Sequence, residues 1–269
     1  MEEAIKILKK YTGHKTIILT ESGDTAIFAA MYCARKLGLG KPNVLIPDQG
    51  GWLTYKKYPK MLELNAKEYK TELGIVRINE LETENSCCLI YENPTGYFAE
   101  QPTKQIYEKC KDDCLVIADV TGCIGDEELC NGTFADIMVG SFGKWKPVNL
   151  GYGGFVSFKR EEDYLKAKEI FNTTSFDESR LNELAKKLED CRQRLDYLYK
   201  KCRKVKSELK NHEVLHRDKK GINVAVRFKT EIEKQELIEY CENNKYEYTL
   251  CPRYIRVLEQ AISIEIKRL

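Results

Sequence analysis

Seven short runs punctuate the first part of the chain: 16–20, 43–47, 61–64, 87–92, 114–119, 136–141 and 154–159. Most are unbroken apolar stretches, such as Leu115-Val-Ile-Ala118, rather than alternating ones. An unbroken run is the mark of a strand covered on both faces. Helical stretches lie between several of them: 24–36 carries Ala26, Ala29, Ala30 and Cys33 on one face, and 103–111 follows a proline. The pattern predicts an α/β chain with a mainly parallel sheet sandwiched by helices. After residue 159 the character changes. A charged segment, 177–210, places Leu181, Leu184, Leu188, Leu195 and Leu198 at helical spacing. A strand at 222–228, a helix at 231–243, and strands near 254–258 and 261–266 should then form a smaller α+β unit. The expected division is a large domain over 1–165 and a small C-terminal domain over 166–269, with the long helix as connector.

Charge and composition narrow the function. The chain has 269 residues, with 44 basic against 42 acidic side chains and a net charge of +2. That balance argues against a nucleic-acid partner, which calls for a basic excess on one face. No apolar run approaches the roughly 20 residues of a membrane span. The acidic start, Glu2-Glu3, has no signal-peptide core behind it, so a cytoplasmic address is expected. A surface rich in Lys, Glu and Ile resembles thermophile composition. Eleven cysteines, an odd count, read as reduced buried thiols. The alternative is a metal or cluster site from Cys110, Cys114, Cys123 and Cys130, whose spacings of 3, 8 and 6 intervening residues match no paired CxxC pattern. The three histidines, His14, His212 and His216, lie far from the motif-rich middle.

Five features fall at or just past predicted strand ends, where open α/β sheets bind ligands. Ser22-Gly23-Asp24-Thr25 turns a strand into a helix, either as an anion site of free N–H groups or simply as a capped helix start. Trp52 follows Gly50-Gly51 and could stack on a flat ring or fill a core. Asn93-Pro94-Thr95-Gly96 is a polar loop or an ordinary turn. Asp119 closes an apolar run, where a carboxylate needs a cation or donor unless it reaches solvent. Ser141-Phe142-Gly143-Lys144-Trp145-Lys146 is followed by Gly151-Tyr152-Gly153-Gly154. A lysine there could supply an amine for covalent chemistry, provided its pKa is lowered; otherwise the loop is a solvated basic one.

Taken in order, these features resemble the pyridoxal 5′-phosphate (PLP)-dependent aminotransferases of the aspartate aminotransferase superfamily, especially the DegT/DnrJ/StrS branch. The stretch from Ala135-Asp136-Ile137 through Ser141 to Gly153-Gly154 aligns with that branch without gaps. The resemblance implies that Lys146 is the Schiff-base lysine and that Ser141 binds phosphate. The aspartate aminotransferase pattern Ser-x-x-Lys, with the Asn-Pro-Thr-Gly loop, instead picks Lys144. The longer match favours Lys146. By the same resemblance Asp119 pairs with the pyridine nitrogen, Trp52 stacks on the ring and Asn93 donates to the phenolic oxygen. Ser22, Gly23, Asp24 and Thr25 hold the phosphate, chiefly through backbone amides.

The resemblance is clear over about residues 15–160 and is carried beyond them only by architecture. It implies an aminotransferase-like enzyme working between a small-molecule amino donor and an acceptor, as a homodimer with its site near the interface. A PLP lyase, decarboxylase or aldolase, or a non-catalytic binding relative, are the alternatives. Three departures matter. Asp24 puts a negative charge beside the expected phosphate. Gly122 stands where the branch has His or Gln three residues past the pyridine-pairing Asp. The branch's Asn-x-Arg substrate loop has no clear counterpart, Asn172 being a loose candidate. Arg253 or Arg256 could clamp a substrate carboxylate.

Overall fold

The protein is described by a computed structural model over residues 2–38 and 40–269. In chain order the large part contains α1 (Glu2–Thr12), β1 (Thr16–Thr20), α2 (Gly23–Leu37), β2 (Asn43–Pro47), α3 (Tyr58–Met61), β3 (Asn65–Tyr69), a two-strand ribbon of β4 (Thr71–Glu72) and β5 (Ile75–Val76), β6 (Ser86–Glu92), α4 (Thr103–Cys110), β7 (Leu115–Asp119), β8 (Ile137–Ser141), β9 (Gly154–Phe158) and α5 (Glu161–Lys166). There follow α6 (Leu181–Glu208), β10 (Glu213–Val214), β11 (Val224–Arg227), α7 (Glu231–Asn243), β12 (Tyr248–Leu250) and β13 (Ala261–Ile264).

The main sheet runs β3-β2-β6-β7-β8-β9-β1. Only β9 opposes its neighbours, pairing antiparallel with both β8 and β1. Its central strands are largely apolar because both faces are covered. Leu45, Leu89, Tyr91, Val116, Met138 and Phe155 point into one core, shared with α1, α4 and the start of α6. Val44, Ile46, Ile90, Ile117, Val139 and Val156 point into the other, under α2 and α5. The period of two thus survives as an alternation between two cores rather than between core and water. Ala26, Ala29, Ala30 and Ala34 are buried along α2, small enough to let that helix lie close on the sheet.

The second sheet, β10-β11-β13-β12, is wholly antiparallel. Its apolar residues Val224, Val226, Ile262 and Ile264 share a core with Leu237 of α7 and with Leu195, Leu198, Cys202 and Val205 of α6. The first half of α6 places Leu184, Leu188 and Cys191 in the main-sheet core. One helix therefore belongs to two cores.

Two strand expectations need correcting. Residues 61–64 close α3 in a turn, and the strand is the next segment, Asn65–Tyr69. Leu62 and Leu64 are apolar because the turn is buried, whereas β3 is a mostly exposed edge strand with no apolar signal. Residues 254–258 form a loop, and the edge strand is Tyr248–Leu250. That loop docks on the main sheet: Gly50 N–H donates to Tyr254 O, Tyr254 Oη to Pro47 O, and Leu258 N–H to Gln49 Oε1.

All eleven cysteines are free and buried. The four considered together separate, Cys110 neighbouring Cys114 while Cys123 lies near Cys130 and Cys191. Among the described residues no group of three or more His, Cys, Asp or Glu could hold a metal ion. No helix among them is long and apolar enough to cross a membrane.

Phe155 is fully buried and stacks on Phe142 at 5.8 Å, beneath the loop that carries Lys144 and Lys146. Phe155→Ala should cost about 3–5 kcal/mol through lost transfer energy and the cavity left behind. Urea unfolding measured on both chains checks this.

Candidate functional site

Because β9 alone opposes the other strands, the C-terminal ends of β1, β6, β7 and β8 and the start of β9 share one edge. There the chain delivers Ser22, Glu92, Asp119, Ser141 and Gly154 side by side. Ser22, Asp119 and Ser141 border a cleft of about 480 Å³ counted out to its mouth, walled also by Gly23, Asp24, Trp52, Tyr97, Thr121 and Lys146 among others.

Helix α2 begins on this cleft. Ser22 caps it, its Oγ accepting from Thr25 N–H at 3.1 Å. Gly23 is required by contact: a Cβ there would stand 2.4 Å from Ser141 Cβ. The first backbone N–H groups of the helix, those of Gly23 and Asp24, have no in-helix partner and form the positive end of its dipole. The Asp24 carboxylate does not compete for them. Its Oδ1 accepts from Trp52 Nε1 at 2.7 Å and Thr54 Oγ1 at 3.1 Å, which also fixes the indole on the cleft wall.

Asp119 is 3% exposed. Its Oδ2 accepts from Tyr55 Oη at 2.7 Å and its Oδ1 from Thr121 N–H at 3.0 Å. Burial pushes its carboxyl up, against the pull of those donors. Thr121 Oγ1 accepts from Ser141 N–H, linking the ends of β7 and β8, and Ser141 Oγ accepts from Gly143 N–H. Lys146 turns inward, donating to the Tyr97 hydroxyl and lying 5.1 Å from the Trp52 ring centre. Desolvation, then the nearby Lys267, push its ammonium down to about 8.

The structure brings Ser22, Gly23, Asp24, Trp52, Asp119, Ser141 and Lys146 together on one wall, with Thr25 one residue behind. It does not bring Lys144, which is exposed on the outer face of its loop. Nor does it bring Asn93, which is fully buried with Nδ2 bonded to Leu129 O and Oδ1 accepting from Gln101 N–H. That side chain clamps the backbone of its own loop instead of donating into the cleft. Arg256 is no free carboxylate clamp, because Glu265 holds it bidentately at 2.9 and 2.8 Å; Arg253 is exposed. Although burial opposes it, Arg256 and Lys267 hold the Glu265 carboxyl well below the usual range.

Two residues were missed in the sequence. Tyr97, 2% exposed, lines the cleft, with Lys146, Arg256 and Lys267 at 4.4, 5.1 and 5.0 Å from its ring centre. Glu92, also 2% exposed, pairs in register with Asp119 on the neighbouring strand, and its Oε1 has no partner among the described residues. It closes an apolar run just as Asp119 does, so the signal that marked one carboxylate marked the other. Burial, then the Asp119 charge, push the Glu92 carboxyl up to about 8.

A carboxyl raised on folding keeps its proton where the unfolded chain has lost it. Stability should therefore fall as pH rises from about 4.5 to about 8 and level off above that range. Glu92→Gln removes this contribution, so the urea midpoint of the variant should fall less steeply than that of the parent over the window. Equal slopes would mean that Glu92 ionises normally.

The family profile described as "MJ1341 family C-terminal domain" matches residues 192–269. No curated protein matches the chain by sequence. Among solved structures it is similar to a DegT/DnrJ/EryC1/StrS aminotransferase from Brucella abortus, with a TM-score of 0.75 and 14% identity over 98% of this chain and 84% of that one. It is also similar to L-threonine transaldolase from Pseudomonas fluorescens in its internal aldimine state, with a TM-score of 0.76 and 13% identity over 99% of this chain and 66% of the other. A third is serine palmitoyltransferase from S. paucimobilis with a bound PLP–myriocin aldimine, at a TM-score of 0.68 and 15% identity over 98% and 70%. The chain thus has the fold of these enzymes.

Proposed function

We propose that this cleft binds pyridoxal 5′-phosphate and that the chain is a PLP-dependent transferase of aminotransferase type. The observation that carries the reading is the convergence of Lys146, Asp119 and the α2 N-terminus on one cleft, with the Trp52 ring on its wall. The donor set suits the cofactor. The Gly23 and Asp24 N–H groups and the Ser141 hydroxyl would hold the phosphate, because a helix start favours an anion and Gly23 lets it approach the backbone. Asp119 would pair with the ring nitrogen. Its two hydrogen bonds from Tyr55 and Thr121 fix the carboxylate, so that it can keep that nitrogen protonated. Trp52, anchored by Asp24, offers a flat face to the ring. When bound, PLP supplies an aldehyde that condenses with amines and a ring that accepts electrons from the bond being broken.

Lys146 does the rest. With its ammonium pushed down to about 8, it can attach the cofactor and later move a proton at the amino carbon. Small-molecule amino donors and keto or aldehyde acceptors are the proposed substrates, and a two-fold dimer the proposed assembly. The fold of the transaldolase and palmitoyltransferase relatives supports PLP chemistry without choosing the bond that breaks.

Addition of PLP should produce a visible-absorbing adduct. Borohydride reduction and peptide mapping should then place the label on Lys146, and Lys146→Ala should abolish it while Lys144→Ala keeps it. Label on Lys144 alone would overturn the assignment, and no adduct at saturating PLP would overturn the function. Incubation with an amino acid should release the corresponding keto acid.

Asp24→Asn keeps an acceptor for Trp52 Nε1 but removes the charge near the phosphate. It should bind PLP as tightly as the parent or a few-fold tighter, consistent with about 0.3–1 kcal/mol for a charge at a helix end. Asp24→Ala should bind more weakly because the indole loses its anchor. Absorbance titration of PLP against each chain gives the two affinities.

A further inference from the structure

Proton traffic at Lys146 needs a partner, and the obvious one is engaged. Both oxygens of Asp119 already accept hydrogen bonds, from Tyr55 and Thr121. Glu92 is different. It stands beside Asp119 on the adjacent strand, nearly all of it is buried, and its Oε1 is unpartnered among the described residues. Buried polar atoms almost always find a partner, so an orphaned carboxyl oxygen beside the cleft residue Asp119 calls for a role. The Tyr97 hydroxyl lies between the two groups: it accepts from Lys146 Nζ and is close enough to stabilise the Glu92 anion.

We propose that Glu92 is the proton-holding partner of Lys146, reached through the Tyr97 hydroxyl. The inference rests on the reading that Lys146 is the reactive amine. In the step, the Lys146 ammonium passes one N–H proton to Tyr97 Oη, and Tyr97 passes its own phenol proton to the Glu92 carboxylate. One N–H bond breaks and one O–H bond forms at Glu92. Tyr97 ends as it began, Lys146 is a neutral amine and Glu92 a neutral acid. No oxidant or further reactant is involved. Burial moves the Glu92 carboxyl up and the Lys146 ammonium down, which brings the two groups toward each other.

The surroundings favour this pairing. Asp119, Tyr55, Tyr97, Tyr254, Lys146 and Arg256 face Glu92 from β7, the Trp52 loop and the loops after β6, β8 and β12. Burial, then repulsion from Asp119, raise the Glu92 carboxyl, while Lys146 and Arg256 pull the other way. Lys146 in turn is faced by Lys267 and Arg256, which favour its neutral form, and by Glu92 and Asp119, which favour the cation. Glu92 is thus a positioning residue that acts through Tyr97 rather than on substrate.

The test uses the chain without PLP. Competitive acetylation across a pH series, mapped by mass spectrometry, reads the titration of Lys146, with the exposed Lys144 nearby as reference. Glu92→Gln removes the anion that favours the Lys146 cation, so the Lys146 midpoint should fall by roughly one pH unit relative to Lys144. Tyr97→Phe should lower it too, and the two changes should be non-additive because they interrupt one path. Glu92→Asp keeps the acid but withdraws it by one methylene. It should give a smaller fall, and it replaces the Gln variant should that chain not fold. An unchanged Lys146 midpoint in folded Glu92→Gln, or in the Asp variant used in its place, or strictly additive effects, would overturn the proposal. Loading with PLP separates the two readings. Failure of PLP to label Lys146 sinks the functional reading but leaves the labelling shift intact. A labelled Lys146 with no shift sinks the relay alone.

Discussion

The close approach of three backbone segments at one corner of the sheet sets everything around it. The start of α2, the end of β8 and the start of β9 come so near that a Cβ on Gly23 would meet Ser141, and one on Gly154 would stand 2.6 Å from Gly140 O and 2.8 Å from Ser22 O. Glycine at both positions lets the helix N-terminus sit directly over the strand that launches the lysine loop. Without that contact the free N–H groups of the helix start and the Lys146 amine would lie at separate places on the edge. The short bridge between Ser22 and Gly153 and the bond from Gly153 N–H to Glu21 O hold the arrangement from the other side.

Around this corner, charge is arranged in alternation. Asp119 and Glu92 stand on neighbouring strands, Lys146 faces them, and Arg256 and Lys267 stand behind Tyr97 with Glu265 between them. A buried ion pair is a poor source of stability, because desolvation offsets much of its Coulomb gain. The cluster is better read as a device for holding specific protonation states. Glu265, with Arg256, Lys267, Ser263 and Asn223 on its two oxygens, is satisfied and stays ionised. Glu92, with an empty oxygen, is not satisfied.

Much of this was legible in the chain itself, and the parts that were not share a physical cause. Central strands announce themselves because both faces are apolar, so β2, β6, β7, β8 and β9 fall close to where the runs place them. Edge strands carry no such mark: β3 is mostly exposed, and the apolar Leu62 and Leu64 beside it belong to a buried turn. Asp119 and Ser141 stand at the strand ends where the runs put them, and Lys146, picked over Lys144 by the longer match, turns inward beside them. Asn93 is used differently, because an amide on a polar loop serves equally well to tie the loop together, which is what Leu129 and Gln101 have it do. Lys267 could not be found, because its nearness to Lys146 depends on how a distant C-terminal segment packs, and nothing local encodes that.

Helix α6 carries one further consequence. At about 1.5 Å per residue, its 28 residues make a rod some 40 Å long. Its first half is sealed into one core and its second into another. A rod gripped at both ends behaves as a spar: neither sheet can pivot about it without breaking apolar contacts at the far end. The gap between the main-sheet edge and the segment bearing Arg256 and Lys267 is therefore a fixed dimension rather than an adjustable one. Whatever enters the cleft meets walls already set at their working distance, and movement is left to side chains and to the loops between strands.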